Sequence, residues 1–113
     1  MPYIELKTDK RISESTEAEF KEAFGHAIET FPGKTERWLM INLIGECKMA
    51  FAGEIGNTCM IEVDLLGSAT REVYEKMTAV CSEIAGKLLG IPEDRVYVKY
   101  TEFKNWGCGK ELF

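Results

Sequence analysis

Apolar and polar residues along this chain follow two rhythms, one of period two and one of period 3.6, in an order that occurs twice. Residues 3–8 (YIELKT) alternate and predict a short strand. Ser13 to Thr16 is polar and offers helix N-caps, with Thr16 and Glu19 at capping-box spacing. Phe20, Phe24, Ala27, Ile28 and Phe31 then recur on one face of a helix, which Pro32-Gly33 stops. Residues 38–44 (WLMINLI) are continuously apolar and read as a buried strand. Residues 45–57, with three glycines, read as a loop. The order then repeats. Residues 59–66 (CMIEVDLL) alternate as a strand, and Val73, Met77, Val80, Cys81, Ile84 and Leu88 share a helical face. Gly90 and Pro92 end that helix, and residues 96–103 (VYVKYTEF) form a last strand rich in β-branched and aromatic residues.

The two halves superpose at an offset of 57. Ile4-Glu5-Leu6 then meets Ile61-Glu62-Val63, Phe20, Phe24 and Phe31 meet Met77, Cys81 and Leu88, and Gly33 meets Gly90. The chain thus reads as a doubled βαβ unit in a single domain, residues 1–113, with four strands backed by two helices on one face. The other sheet face reads as apolar and in need of cover, and self-association is the simplest cover.

The chain is 45% hydrophobic, which excludes disorder. Fourteen basic residues against nineteen acidic ones give a net charge of -5, which disfavours nucleic acid and an anionic membrane surface as partners. No apolar run reaches transmembrane length, and MPYIELKTDK lacks the basic and apolar regions of a signal peptide. We therefore expect a cytoplasmic protein, with secretion by a route that needs no signal peptide left open. The even count of Cys47, Cys59, Cys81 and Cys108 permits two disulfides, but the cytoplasmic reading favours free thiols acting as small buried or half-buried hydrophobes. With His26 the only histidine and no ligand pair at finger spacing, no metal site is expected. His26 falls among the apolar positions of the first helix, where a structural role is the simpler reading.

Several local motifs, taken in order, resemble the macrophage migration inhibitory factor and D-dopachrome tautomerase family. They are Met1-Pro2 running into a strand, Gly33-Lys34 after the first helix and Met49-Ala50-Phe51-Ala52-Gly53 in the central loop. Leu66-Gly67 ending the third strand and Pro92-Glu93-Asp94-Arg95-Val96-Tyr97-Val98 opening the last complete the set. The resemblance implies an α+β fold: a βαββαβ protomer with a four-stranded mixed sheet, two helices on one face, and three protomers in a ring. It implies that Pro2 is the catalytic residue and Lys34 a substrate-binding lysine. Leu66 stands where a backbone N–H contacts substrate, Tyr97 is lent by a neighbouring protomer, and Trp106 and Phe113 fall on the C-terminal wall of the pocket. Trp38 replaces a usual tyrosine at the rim, and Lys99 a usual asparagine beside the pocket. The C-terminal segment is slightly shorter than usual. Thr58 and Ile61 stand where some members carry a CxxC, so thiol redox activity is not implied.

These residue types suit proton transfer on carbon. An enolisation needs a base whose pKa lies near the working pH, and an α-amine starts closer to it than lysine does. An apolar setting from Tyr3, Leu66, Tyr97 and Trp106, and a cation from Lys34 or Lys99, would lower the amine further. The substrate implied is an aromatic α-keto acid such as phenylpyruvate, or an aminochrome relative. Lys34 would hold its carboxylate and the aromatic wall its ring. Such an isomerisation needs no cofactor. It does need Met1 removed, because behind Met1 the Pro2 nitrogen is a non-basic amide.

Each residue taken alone has a plainer reading. Lys34 suits a solvated helix C-terminus, Tyr97 a strand aromatic, Lys99 a solvated or inter-protomer charge, and Phe51, Trp38 and Trp106 core or interface positions. Three other functions compete. A cytokine-like protein with a receptor as partner and a vestigial site comes first. Hydration or dehalogenation of a small acid, drawing on Glu36 and Arg37, comes next. A ferredoxin-like RNA-binding module is opposed by the acidic charge and by a last strand without a basic-aromatic pattern.

Overall fold

The computed structural model describes residues 1–113. The chain runs β1 (Pro2–Thr8), α1 (Glu14–Ala27), β2 (Met40–Ile44), a hairpin of β3 (Ala50–Phe51) and β4 (Glu54–Ile55), then β5 (Cys59–Leu66), α2 (Arg71–Leu89) and β6 (Val96–Phe103). A second hairpin, β7 (Gly107–Cys108) and β8 (Glu111–Leu112), closes it. Four strands form one mixed sheet in the order β2-β1-β5-β6. β1 and β5 are antiparallel at its centre, with β2 parallel to β1 and β6 parallel to β5. Alternation along the central strands turns Ile4, Leu6, Ile61, Val63 and Leu65 to the helices. There they meet Phe20, Phe24, Ile28 and Phe31 from the first half and Met77, Cys81 and Ala85 from α2. No helix is long and apolar enough to cross a membrane.

The doubling seen in the sequence is a structural two-fold. α1 and α2 begin at Glu14 and Arg71, after N-caps Ser13 and Thr70, each 57 positions apart. A single helical turn precedes each outer strand, at Glu36–Trp38 and at Glu93–Arg95, again 57 apart. Gly33 and Gly90 take the same left-handed conformation, φ +77 and +69, which suits glycine where a helix ends. Glu5 pairs across the sheet with Glu62, its own counterpart, so the internal axis passes between them.

The structure departs from the sequence reading at several points. Ser13 Oγ accepts the Thr16 N–H at 3.2 Å, so Ser13 is the cap and Thr16 already lies in the first turn; the Thr16–Glu19 box does not form. Trp38 sits in the helical turn, not in a strand, and β2 is an exposed edge whose Met40 is 66% exposed. The run 38–44 is apolar without being buried, because only one side of β2 is paired. Within 45–57 the chain folds into the β3–β4 hairpin, where Ala52 and Gly53 both have positive φ (53 and 78) and supply the primed-turn twist. Arg95 ties this hairpin down. Its guanidinium donates to the carbonyls of Asn57 (2.8 Å), Phe51 (3.1 Å), Glu54 (3.2 Å) and Gly56 (2.8 Å).

The uncovered sheet face is charged at its centre, not apolar. Glu5, Lys7, Glu62, Asp64 and Lys99 occupy it, with Lys7–Glu5 at 3.1 Å and Lys99–Glu62 at 3.4 Å. The large residues of β1 and β5 are used on the helix side, and exposed apolar groups gather at the rims. His26 lies off the apolar face of α1, exposed, with Nδ1 3.9 Å from the Glu29 carboxylate. All four cysteines are free; Cys59 and Cys81 are buried, Cys47 is half-buried, and Cys108 is exposed, unlike the small buried role expected of it.

Candidate active site

One end of the sheet, where β1 starts and β5 finishes, opens into a cavity of about 530 Å³. Met1, Pro2 and Tyr3 form its floor with Asp64, while Trp38, Met40, Phe103 and Trp106 wall it. Asn105, Gly107 and Cys108 complete the lining. The walls are set by local structure. The Glu36–Trp38 turn presents Trp38, with the Arg37 guanidinium 5.0 Å from its ring centre. The C-terminal hairpin brings Trp106 edge-on to Phe103 at 5.8 Å. Phe113 fixes that hairpin rather than lining the cavity: its N–H donates to the Trp106 carbonyl at 2.8 Å.

The start of the chain lies against Lys34 and Leu66. The Leu66 N–H donates to the Met1 carbonyl at 3.1 Å, and Lys34 Nζ donates to the Leu66 carbonyl at 3.2 Å. Gly33 allows the turn that delivers Lys34 here, and the Lys34 N–H closes that turn on the Phe31 carbonyl at 3.1 Å. The Met1 amine is held below its ordinary value of 8.0, first by burial and then by the charge and hydrogen bond of Lys34. The Tyr3 hydroxyl donates to Glu5 at 2.7 Å and accepts from Asn42 Nδ2 at 3.1 Å. Burial and then that bond to Glu5 push its pKa up. Asp64 faces Tyr3 across the strand pair, and burial, then Glu62 and Glu5, raise its carboxyl above the usual range.

Of the residues singled out in the sequence, Pro2, Tyr3, Trp38 and Trp106 line the cavity, and Lys34 and Leu66 meet at its margin. Tyr97 does not approach it. Tyr97 pairs with Met60 whereas Pro2 pairs with Leu65, which separates them by about 17 Å along the strands. Its ring, 57% exposed, packs 4.6 Å from Phe51 at the opposite end of the sheet. Lys99 is occupied with Glu62 on the open face, away from the cavity. The sequence reading missed Asp64, Met40 and Phe103. Strand alternation carries the signal for Asp64, which shares a face with Glu62 and lies two positions before the site residue Leu66.

The macrophage migration inhibitory factor (MIF) family model matches residues 1–111. No curated protein sequence matches the chain. Among solved structures, Leishmania major MIF2 superposes with a TM-score of 0.94 at 23% identity, covering 100% of this chain and 97% of that one. The Toxoplasma gondii macrophage migration inhibitory factor gives 0.86 at 21% identity, covering 98% and 99%. Pt0534, in a structure described as inactivated by 2-oxo-3-pentynoate, gives 0.78 at 21% identity, covering 89% and 85%. At these identities the structural likeness concerns the fold.

Proposed function

The chain belongs to the macrophage migration inhibitory factor family, and from that premise we propose that it is a tautomerase of aromatic α-keto acids of the phenylpyruvate type, with the Pro2 nitrogen as general acid and base. The observation that carries this reading is the setting of the N-terminal amine. That amine is Met1's, beside an apolar cavity, and burial and then the Lys34 ammonium disfavour its protonated form; with Met1 removed, the Pro2 amine, which lines the same cavity one residue along, would meet the same apolar surface and cation. A neutral amine near physiological pH is what an enolisation requires.

Removal of Met1 has two chemical consequences. It converts the Pro2 nitrogen from an amide to a secondary amine. It also releases the Leu66 N–H from the Met1 carbonyl, leaving a donor free for a substrate oxygen. Lys34 would pair with the substrate carboxylate, and Trp38, Phe103 and Trp106 would hold the ring. The Pro2 nitrogen takes the proton from the carbon beside the carbonyl as the electron pair moves to the keto oxygen, and the Pro2 ammonium then returns that proton to the oxygen to give the enol; the reverse path restores the ketone. The inactivation of the structurally similar Pt0534 by 2-oxo-3-pentynoate, an aliphatic α-keto acid, supports the keto-acid part of this reading.

The working unit of this reading is a homotrimer. Tyr97 stands too far from Pro2 of its own chain to serve it, so in this reading it would come from a neighbouring protomer. Unpaired outer edges on β2 and β6, and an Ile55 that is 92% exposed in the Arg95-held hairpin, support such an assembly.

The test compares mass-verified protein lacking Met1 with protein whose amine is blocked by an uncleaved N-terminal extension. The trimmed form should consume the phenylpyruvate enol, and the blocked form should be slower by about 10²-fold or more with its fold intact. Equal rates would remove Pro2 as the base, and the receptor-binding reading would take its place.

A further inference from the structure

The cavity that holds Pro2 is electrically lopsided. Its one lining carboxylate is Asp64, on the floor beside Tyr3. The cation, Lys34, sits at the other margin on the Leu66 carbonyl. Asp64 and Leu66 are two positions apart on β5 and share a sheet face, so about 7 Å of strand separates Asp64 from the residue whose carbonyl holds Lys34. No cation pairs with Asp64. Lys99 is engaged with Glu62, Lys7 with Glu5, and the Tyr3 hydroxyl with Glu5. Between the charges the cavity is aromatic and apolar.

We propose that Asp64 is a specificity-determining residue. It selects aryl acids whose tail carries a cation or a strong hydrogen-bond donor, and it turns away those bearing a second carboxylate. The inference deepens the proposed function, since it rests on a ligand whose acid group lies at Lys34. A rigid aryl acid anchored there directs its para substituent along the floor towards Asp64. An ammonium at that end meets an unpaired, partly desolvated carboxylate, and a carboxylate meets a like charge that the protein has not neutralised. Burial first, and then the Glu62 and Glu5 carboxylates on the open face, outweigh the opposing charge of Lys99 and raise the Asp64 carboxyl, so a cation or donor beside it is favoured.

Binding can be read without turnover, because both tryptophans of the chain, Trp38 and Trp106, line the cavity. The probes are three non-reacting analogues titrated by tryptophan fluorescence against trimmed protein at pH 7.5: 3-phenylpropionate, its para-aminomethyl derivative and its para-carboxy derivative. The aminomethyl compound should bind about ten- to a hundredfold tighter than the carboxy compound, with 3-phenylpropionate between them. Asp64→Asn should bring the two charged probes to within about threefold of one another. Should that variant fail to fold, rising salt on the native protein supplies the second measurement and should compress the same ratio. A native ratio near one, or a ratio that neither Asp64→Asn nor salt changes, overturns the role of Asp64. Failure of all three to bind overturns it together with the aryl-acid reading. Discrimination by binding with no phenylpyruvate turnover leaves Asp64 in place and removes only the tautomerase function.

Discussion

Lys34 illustrates how much one side chain carries at this site. Its ammonium donates to the Leu66 carbonyl and depresses the Met1 amine, so in the proposed function it would act both on the substrate and on the base. A charged hydrogen bond of this kind contributes about 1.5–3 kcal/mol. Lys34→Ala is therefore expected to raise KM for phenylpyruvate about tenfold or more while lowering kcat by less, as steady-state kinetics on trimmed protein will show. A large fall in kcat at unchanged KM would place Lys34 on the transition state instead. The pH profile adds an independent sign. A nearby cation disfavours a protonated amine, as Lys34 does for that of Met1, so with Pro2 as the base the rising acid limb of kcat/KM should lie below the ordinary α-amino range in trimmed protein. It should move upward in Lys34→Ala, since removing the cation returns affinity for the proton. The family resemblance nominates Pro2, Lys34 and Trp106, whose residue types taken alone have plainer readings. Residue type could not nominate Asp64, because an aspartate in an alternating strand looks like any solvated residue until the register sets it against Tyr3.

At the level of elements, β5, β6 and both apolar helix faces were legible because long periodic segments with clear stops leave little choice. The edge position of β2 was not, since an apolar run says nothing about which strands will flank it. The β3–β4 hairpin was hidden because its turn is Ala52-Gly53 rather than the usual Asn-Gly or Asp-Gly. The clamp that holds it depends on one residue. Four carbonyls, the Glu54 carboxylate at 3.5 Å and the Phe51 ring at 5.4 Å all converge on the Arg95 guanidinium. Arg95→Ala should cost about 2–4 kcal/mol in denaturant unfolding, since it strands several acceptors at once. Arg95→Lys should recover little of the loss, because an ammonium lacks the planar fork that reaches four carbonyls. Full recovery by lysine would mean that charge alone, and not the fork, secures the hairpin.

For the molecule as a whole, the charged centre of the open sheet face changes what assembly must achieve. A greasy face would drive contact by area alone; Glu5, Glu62, Asp64 and Lys99 instead leave attachment to the strand edges and the apolar rims. Sedimentation of native protein at micromolar concentration should give three times the 12.8 kDa chain mass, and it should do so with only weak dependence on salt. A stable monomer would refute the trimer and take Tyr97 out of the site. The internal two-fold also bears on where chemistry can arise. Symmetry offers two equivalent ends, but a polypeptide has only one beginning. The counterpart of Pro2 is Cys59, whose nitrogen stays in a peptide even where removal of Met1 would free that of Pro2, and the counterpart of Lys34 is Ile91, buried in the core. The helical turn that presents Trp38 as a wall at one end presents Arg95 as a fastener at the other. The two poles of the protomer are thus unlike: one carries the cavity and the start of the chain, the other the Arg95-held hairpin and Tyr97, which in the proposed trimer would serve the next protomer.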